Sequence, residues 1–133
     1  MARQVYAQRM KYLLDTNILI TIALAANQAV RARAMQCDQG DMVTSAIAYA
    51  EVVHGSVVGK PPPFDELQLL IEEIEVLPFD EKAARFYASL PFQRGSYDRL
   101  IAAHALSQDL IVVTHNEKHF ADVPGLKVEN WVG

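Results

Sequence analysis

Short apolar runs of strand length, each closed by a polar turn and separated by segments of helical length, recur along this chain and leave few architectures open to it. The clearest run is Leu110–Val113, with Thr114-His115-Asn116 directly behind it. The first is Lys11–Leu14, stopped by Asp15-Thr16-Asn17. Met42–Thr44 and Glu75–Leu77 read as further strands, and Leu126–Val128 as a last extended piece. A run such as Ile111-Val112-Val113, with no polar alternation, suits a strand covered on both faces, and helix-length connections return the chain to a parallel neighbour. The fold class is therefore α/β, a three-layer α/β/α arrangement around a central, mainly parallel sheet.

The intervening segments carry their own boundaries. Ile18–Ala26 and Gln28–Gln36 have helical length, Ser45 is placed to cap a helix reaching about Val58, and Gly59 with the prolines Pro61, Pro62 and Pro63 ends it. Asp65–Ile74 shows Leu67, Leu70, Ile71 and Ile74 on one face. Asp80 can cap a helix through Ser89, and Ser96 another to about Gln108, with a loop at Pro91–Gly95 between them. A chain of 133 residues, 51% hydrophobic, suits one compact domain, read here as residues 10–133, with residues 1–9 as an N-terminal extension.

Charge and cysteine content exclude more than they assert. Twelve Lys and Arg against sixteen Asp and Glu give a net charge of −4, which argues against nucleic-acid binding through a broad basic surface. A nuclease remains open, because a cation bound among acids reverses the local sign that a phosphate meets. A single cysteine, Cys37, makes neither an internal disulfide nor a Cys-rich zinc site, and no apolar stretch has transmembrane length. Both features suit the cytoplasm, with no membrane association.

Four oxygen-bearing residues stand where an open α/β sheet gathers its ligands, outside the carboxyl ends of strands. Asp15 follows the first strand and Asn116 follows Leu110–Val113. Glu51 lies in the otherwise uncharged stretch Ala46–Val53, and Asp98 in the first turn of a helix rich in small and branched apolar residues. Each has an ordinary explanation: a cap, a helix edge reaching water, a carboxylate favoured by the helix dipole, a turn residue. Together they make a set of hard oxygen donors suited to Mg²⁺ or Mn²⁺, and such a site can activate water against a phosphodiester. Arg94 and Arg99 flank Asp98 as candidates for RNA phosphate contact, with a salt bridge to a neighbouring acid as the alternative. His54 reads as a helix-surface residue, His104 as structural, and His115 and His119 as loop residues able to meet RNA.

Four segments, Leu13-Leu14-Asp15-Thr16-Asn17-Ile18-Leu19, Glu51 with Gly55, Tyr97-Asp98-Arg99-Leu100-Ile101-Ala102-Ala103-His104-Ala105 and Val113-Thr114-His115-Asn116 with Phe120, together resemble the motifs of PIN domains of the VapC type. The resemblance runs from Met10 to Trp131, and Val123-Pro124-Gly125-Leu126 with Glu129-Asn130-Trp131 is similar to VapC tails. It implies a PIN-like fold and an endoribonuclease using Mg²⁺ or Mn²⁺. Asp15 and Asp98 would be the principal metal ligands, Glu51 would act directly or through a metal-bound water, and Thr114 would support the site by hydrogen bonding. Asn116 stands where many relatives carry a fourth acid, which favours a single resting metal. A homodimer and a cognate VapB-type antitoxin follow from the same resemblance.

Other readings are weaker. A PIN-like module that binds RNA or protein without efficient catalysis is suggested by Asn116. A phosphotransferase with an aspartate nucleophile after strand one needs a second acid where Asn17 stands, and a receiver-like domain needs an acid after a central strand that neither Met42–Thr44 nor Glu75–Leu77 supplies.

Overall fold

The computed structural model describes residues 10–91 and 96–133. In chain order these form β1 (Tyr12–Leu14), α1 (Thr16–Ala23), α2 (Gln28–Met35), β2 (Met42–Ser45), α3 (Ala46–Val57), α4 (Phe64–Ile71), β3 (Glu75–Leu77), α5 (Glu81–Ala88), α6 (Tyr97–Gln108) and β4 (Ile111–Val113). A 3-10 turn (Glu117–His119) and β5 (Val128–Glu129) complete the order. The five strands form one sheet in the order β3-β2-β1-β4-β5, and every pairing is parallel. The expectation of a mainly parallel sheet is met by one that is wholly parallel.

Successive residues of a strand face opposite sides of a sheet. Leu13 and Leu14 are both 0% exposed, as are Val112 and Val113, so both faces are covered. Parallel strands in this order, joined by right-handed crossovers, put the helices between β1 and β3 on one face and α5 and α6 on the other. Each fully buried Leu or Val there contributes roughly 1.5–3 kcal/mol of transfer free energy. Among the described residues no helix is long and apolar enough to cross a membrane.

Helix starts follow local chemistry. Ser45 accepts a hydrogen bond from the Ile47 amide, Asp80 from Ala83 and Ser96 from Arg99, so the three caps read from sequence are formed. Gly59, at φ 91°, ends α3 in the left-handed region that an L side chain avoids.

Three elements differ from expectation by two residues or more at one end or both. α1 begins at Thr16 rather than Ile18 because Asp15 is itself the cap, and it stops at Ala23. α4 begins behind Pro63 and ends at Ile71, after which the amide of Ile74 bonds back to Leu70 and Ile74 turns into the core at 2% exposure. The last strand is Val128–Glu129 rather than Leu126–Val128, since the ladder pairs Val112 with Val128 and Val113 with Glu129.

From β1 the chain proceeds outward to β2 and β3, then crosses back past β1 to add β4 and β5 on the other side. The strand order therefore reverses between β1 and β4, and the crevice outside their carboxyl ends is where such a sheet offers a site.

Candidate active site

Asp15 closes β1 at that crevice. Its amide donates to the Val113 carbonyl at 2.9 Å, so the backbone beneath the carboxylate belongs to the sheet ladder. The side chain is 3% exposed, with Oδ1 accepting from the Thr16 amide at 2.8 Å and Oδ2 from the Thr114 hydroxyl at 2.8 Å. Thr114 follows β4, is 0% exposed, and its Oγ1 also accepts from the Asn116 amide at 3.0 Å. One hydroxyl thus ties the ends of β1 and β4 together.

Glu51 arrives from the second turn of α3. Its Oε1 accepts from the Thr16 hydroxyl at 2.7 Å, so Thr16 holds Asp15 with its amide and Glu51 with its side chain. The sequence reading gives Thr16 no part in the site and misses this bridge. The signal was the Asp-Thr pair itself, but its second partner lies 35 residues away and only the fold brings it near.

Burial pushes the Asp15 carboxyl up from its ordinary value, and the negative charge of Asp98 adds to the rise. The bonds from Thr114 and the Thr16 amide oppose it, as does nearby His115. Burial likewise raises Glu51, with Asp15 and Asp98 pushing the same way and the Thr16 hydrogen bond opposing. The three carboxylates drawn from β1, α3 and α6 therefore feel one another's charge. Among the described residues the opposing hydrogen bonds do not cancel the rise at Asp15 and Glu51, and a cation placed among the acids would reverse it.

Asp98 occupies the first turn of α6, half-buried, with Oδ2 3.0 Å from Nδ1 of His119 on the 3-10 turn. Among the described residues neither its Oδ1 nor Oε2 of Glu51 takes part in a hydrogen bond. Asn116 opens the 3-10 turn immediately above Thr114 and is half-buried.

No group of three or more His, Cys, Asp or Glu side chains among the described residues forms a ready-made metal cage. Mg²⁺ does not require one, since it keeps several waters and takes one or two carboxylates plus phosphate oxygens. An all-oxygen donor set, mutually repelling acids and carboxylate oxygens without hydrogen bonds fit a hard divalent cation.

The remaining expectations divide. Arg99, a candidate for phosphate contact, is 4% exposed and its guanidinium pairs with Asp122, so the salt-bridge alternative holds and its place is inside the framework. Arg94 lies outside the described residues. His104 is 0% exposed, with Nδ1 2.8 Å from the Ser45 hydroxyl, and His54 is exposed on α3. Both positions agree with the structural and surface roles read from sequence.

The PIN domain family model matches residues 12–126. The chain is 34% identical over 131 residues to the tRNA(fMet)-specific endonuclease VapC of Shigella flexneri, covering 92% of this chain and 98% of that protein. It is 30% identical over 132 residues to ribonuclease VapC2 of Haemophilus influenzae, covering 92% and 99%. Among solved structures, VapBC2 from Rickettsia felis bound to a promoter DNA fragment matches with a TM-score of 0.82 at 26% identity, over 92% of this chain and 99% of that one. DNA-bound VapBC from Salmonella typhimurium matches with a TM-score of 0.74 at 31% identity, over 92% and 98%. With the acids at the strand-order reversal, these likenesses establish that the chain belongs to the PIN domain family, among its VapC-type ribonucleases.

Proposed function

We propose that this protein is the toxin of a VapBC-type toxin–antitoxin pair, an endoribonuclease that uses Mg²⁺ or Mn²⁺ held by Asp15, Asp98 and Glu51. The observation that carries the reading is the shared electrostatics of those three carboxylates at the β1–β4 crevice, where burial and mutual repulsion raise Asp15 and Glu51 together. When bound, the cation supplies positive charge for a phosphodiester and lowers the pKa of a coordinated water.

The chain's own residues do the rest. Thr114 and the Thr16 amide fix both oxygens of Asp15, so the carboxylate meets its ligand without reorganising. Thr16 fixes Oε1 of Glu51, and Oε2, which takes part in no hydrogen bond among the described residues, would meet the cation directly or through water. Asn116 adds a neutral amide where a fourth acid would add charge, which favours one resting metal. The cognate partner is a VapB-type antitoxin, since the matched structures from Rickettsia felis and Salmonella typhimurium are VapBC complexes. A homodimer follows from the family resemblance. The Shigella flexneri relative is named for tRNA(fMet), so initiator tRNA is the first defined substrate to try.

The test is incubation of antitoxin-free protein with total cellular RNA and with initiator tRNA, in Mg²⁺ or Mn²⁺, beside EDTA and Asp98→Asn controls. Discrete fragments are expected, with EDTA abolishing them and Asp98→Asn, which removes a ligand charge, reducing them strongly. RNA that is bound but left intact by folded, metal-supplied protein would favour the binding-module reading that Asn116 suggests.

A further inference from the structure

His119 was read from sequence as a loop residue able to meet RNA, yet its Nδ1 stands 3.0 Å from Oδ2 of Asp98. The ring itself is more than half exposed, but the turn that carries it is tied into the framework. The His119 amide donates to the Asn116 carbonyl at 2.9 Å, and the Asn116 amide donates to Thr114 Oγ1, the same atom that donates to Asp15. Next in the chain, Phe120 is 2% exposed and anchors the turn in the core. Two residues further on, Asp122 pairs with the buried guanidinium of Arg99, the neighbour of Asp98 on α6. A continuous path of hydrogen bonds and backbone thus joins Asp15 to Asp98 through Thr114, Asn116 and His119.

We propose that His119 is a positioning residue for Asp98: its Nδ1–H donates to Oδ2, fixes the rotation of that carboxylate, and leaves Oδ1 to face the cation. This rests on the assignment of Asp98 as a metal ligand made above. An ionised carboxylate only accepts, so the imidazole must present the N–H at Nδ1. A half-buried Asp in the first turn of a helix otherwise turns freely about two bonds. Hydrogen-bonding groups behind a metal ligand typically change metal affinity or activity by roughly 10- to 100-fold when removed.

The experiment measures Mn²⁺ affinity by calorimetry, and kcat and KM for RNA, in the full chain as wild type, His119→Ala, His119→Asn and Asp98→Asn. Asparagine places an amide N–H near the position of Nδ1 and so restores the bond without the ring. His119→Ala is expected to weaken Mn²⁺ binding by roughly 10-fold and lower kcat with KM little changed, and His119→Asn to recover most of both. Should His119→Ala melt early, His119→Leu, which keeps side-chain bulk at this exposed position and removes the donor, carries the same test against His119→Asn. A raised KM with wild-type Mn²⁺ affinity would make His119 an RNA contact and overturn the proposal, as would His119→Asn no better than alanine or unchanged values throughout. Failure of the underlying assignment looks different: wild type and Asp98→Asn would then bind Mn²⁺ alike.

Discussion

At the residue scale, the acids of the site are held at a cost to the metal-free protein. Glu51 has its carboxyl pushed above its ordinary 4.5 by burial first and by Asp15 and Asp98 after it. The folded chain therefore keeps that proton to higher pH than the unfolded chain does, and the associated stability is present below about pH 4.5 and lost as pH rises through the folded value. Glu51→Gln keeps an acceptor for the Thr16 hydroxyl and removes the charge. In EDTA at pH 7 it should raise the melting temperature by a few degrees. The gain should vanish below pH 4.5 and shrink in saturating Mg²⁺, which stabilises wild type by mass action. A lower melting temperature in EDTA would mean that the Thr16–Glu51 bond outweighs the repulsion. The positions of Asp15, Glu51, Asp98 and Asn116 relative to the predicted elements were legible in sequence. The bridge through Thr16 and the bond from His119 were not, because each joins residues far apart in the chain, and a hydroxyl or imidazole carries no signal of its distant partner.

At the element scale, what could be read locally was read well. The caps at Ser45, Asp80 and Ser96 depend on one side chain and the amides two or three residues on, so the sequence contains the whole interaction. The end of α4 and the bounds of β5 depend on what lies across the core and across the ladder, and they differ from the sequence reading by one to three residues. The α3–α6 junction adds a constraint visible only in the fold. Ser45 caps α3 while its Oγ sits 2.8 Å from Nδ1 of His104 on α6, and burial lowers the His104 pKa below its ordinary 6.5, with Asp80 opposing weakly. The unfolded chain takes up that proton first as pH falls. Stability from neutral His104 is thus full above about pH 6.5 and declines below it, by up to about 1.4 kcal/mol per pH unit. Denaturant melts between pH 7 and pH 5 should show a steeper loss in wild type than in His104→Gln. Parallel slopes would place the acid sensitivity elsewhere.

At the scale of the whole molecule, a net charge of −4 sets this ribonuclease apart from proteins that grip RNA over a basic surface. Arg99 is taken up by Asp122 inside the framework, which removes one of the two arginines that flanked Asp98 as candidates for the phosphate chain. If the acids hold a cation as proposed, attraction for RNA is expected to concentrate there and at a few phosphates around it. Binding through two or three phosphates releases few counterions, with a slope of about 0.7 per phosphate for single strands. Raising monovalent salt from about 50 to 200 mM at saturating Mg²⁺ should therefore lower kcat/KM by only roughly 10-fold, against 10³-fold or more for a protein making six to ten phosphate contacts. A loss of that larger size would reveal an extended basic track that the net charge conceals. A shallow slope, together with collapse of RNA binding in EDTA, would locate the electrostatic attraction at the β1–β4 crevice.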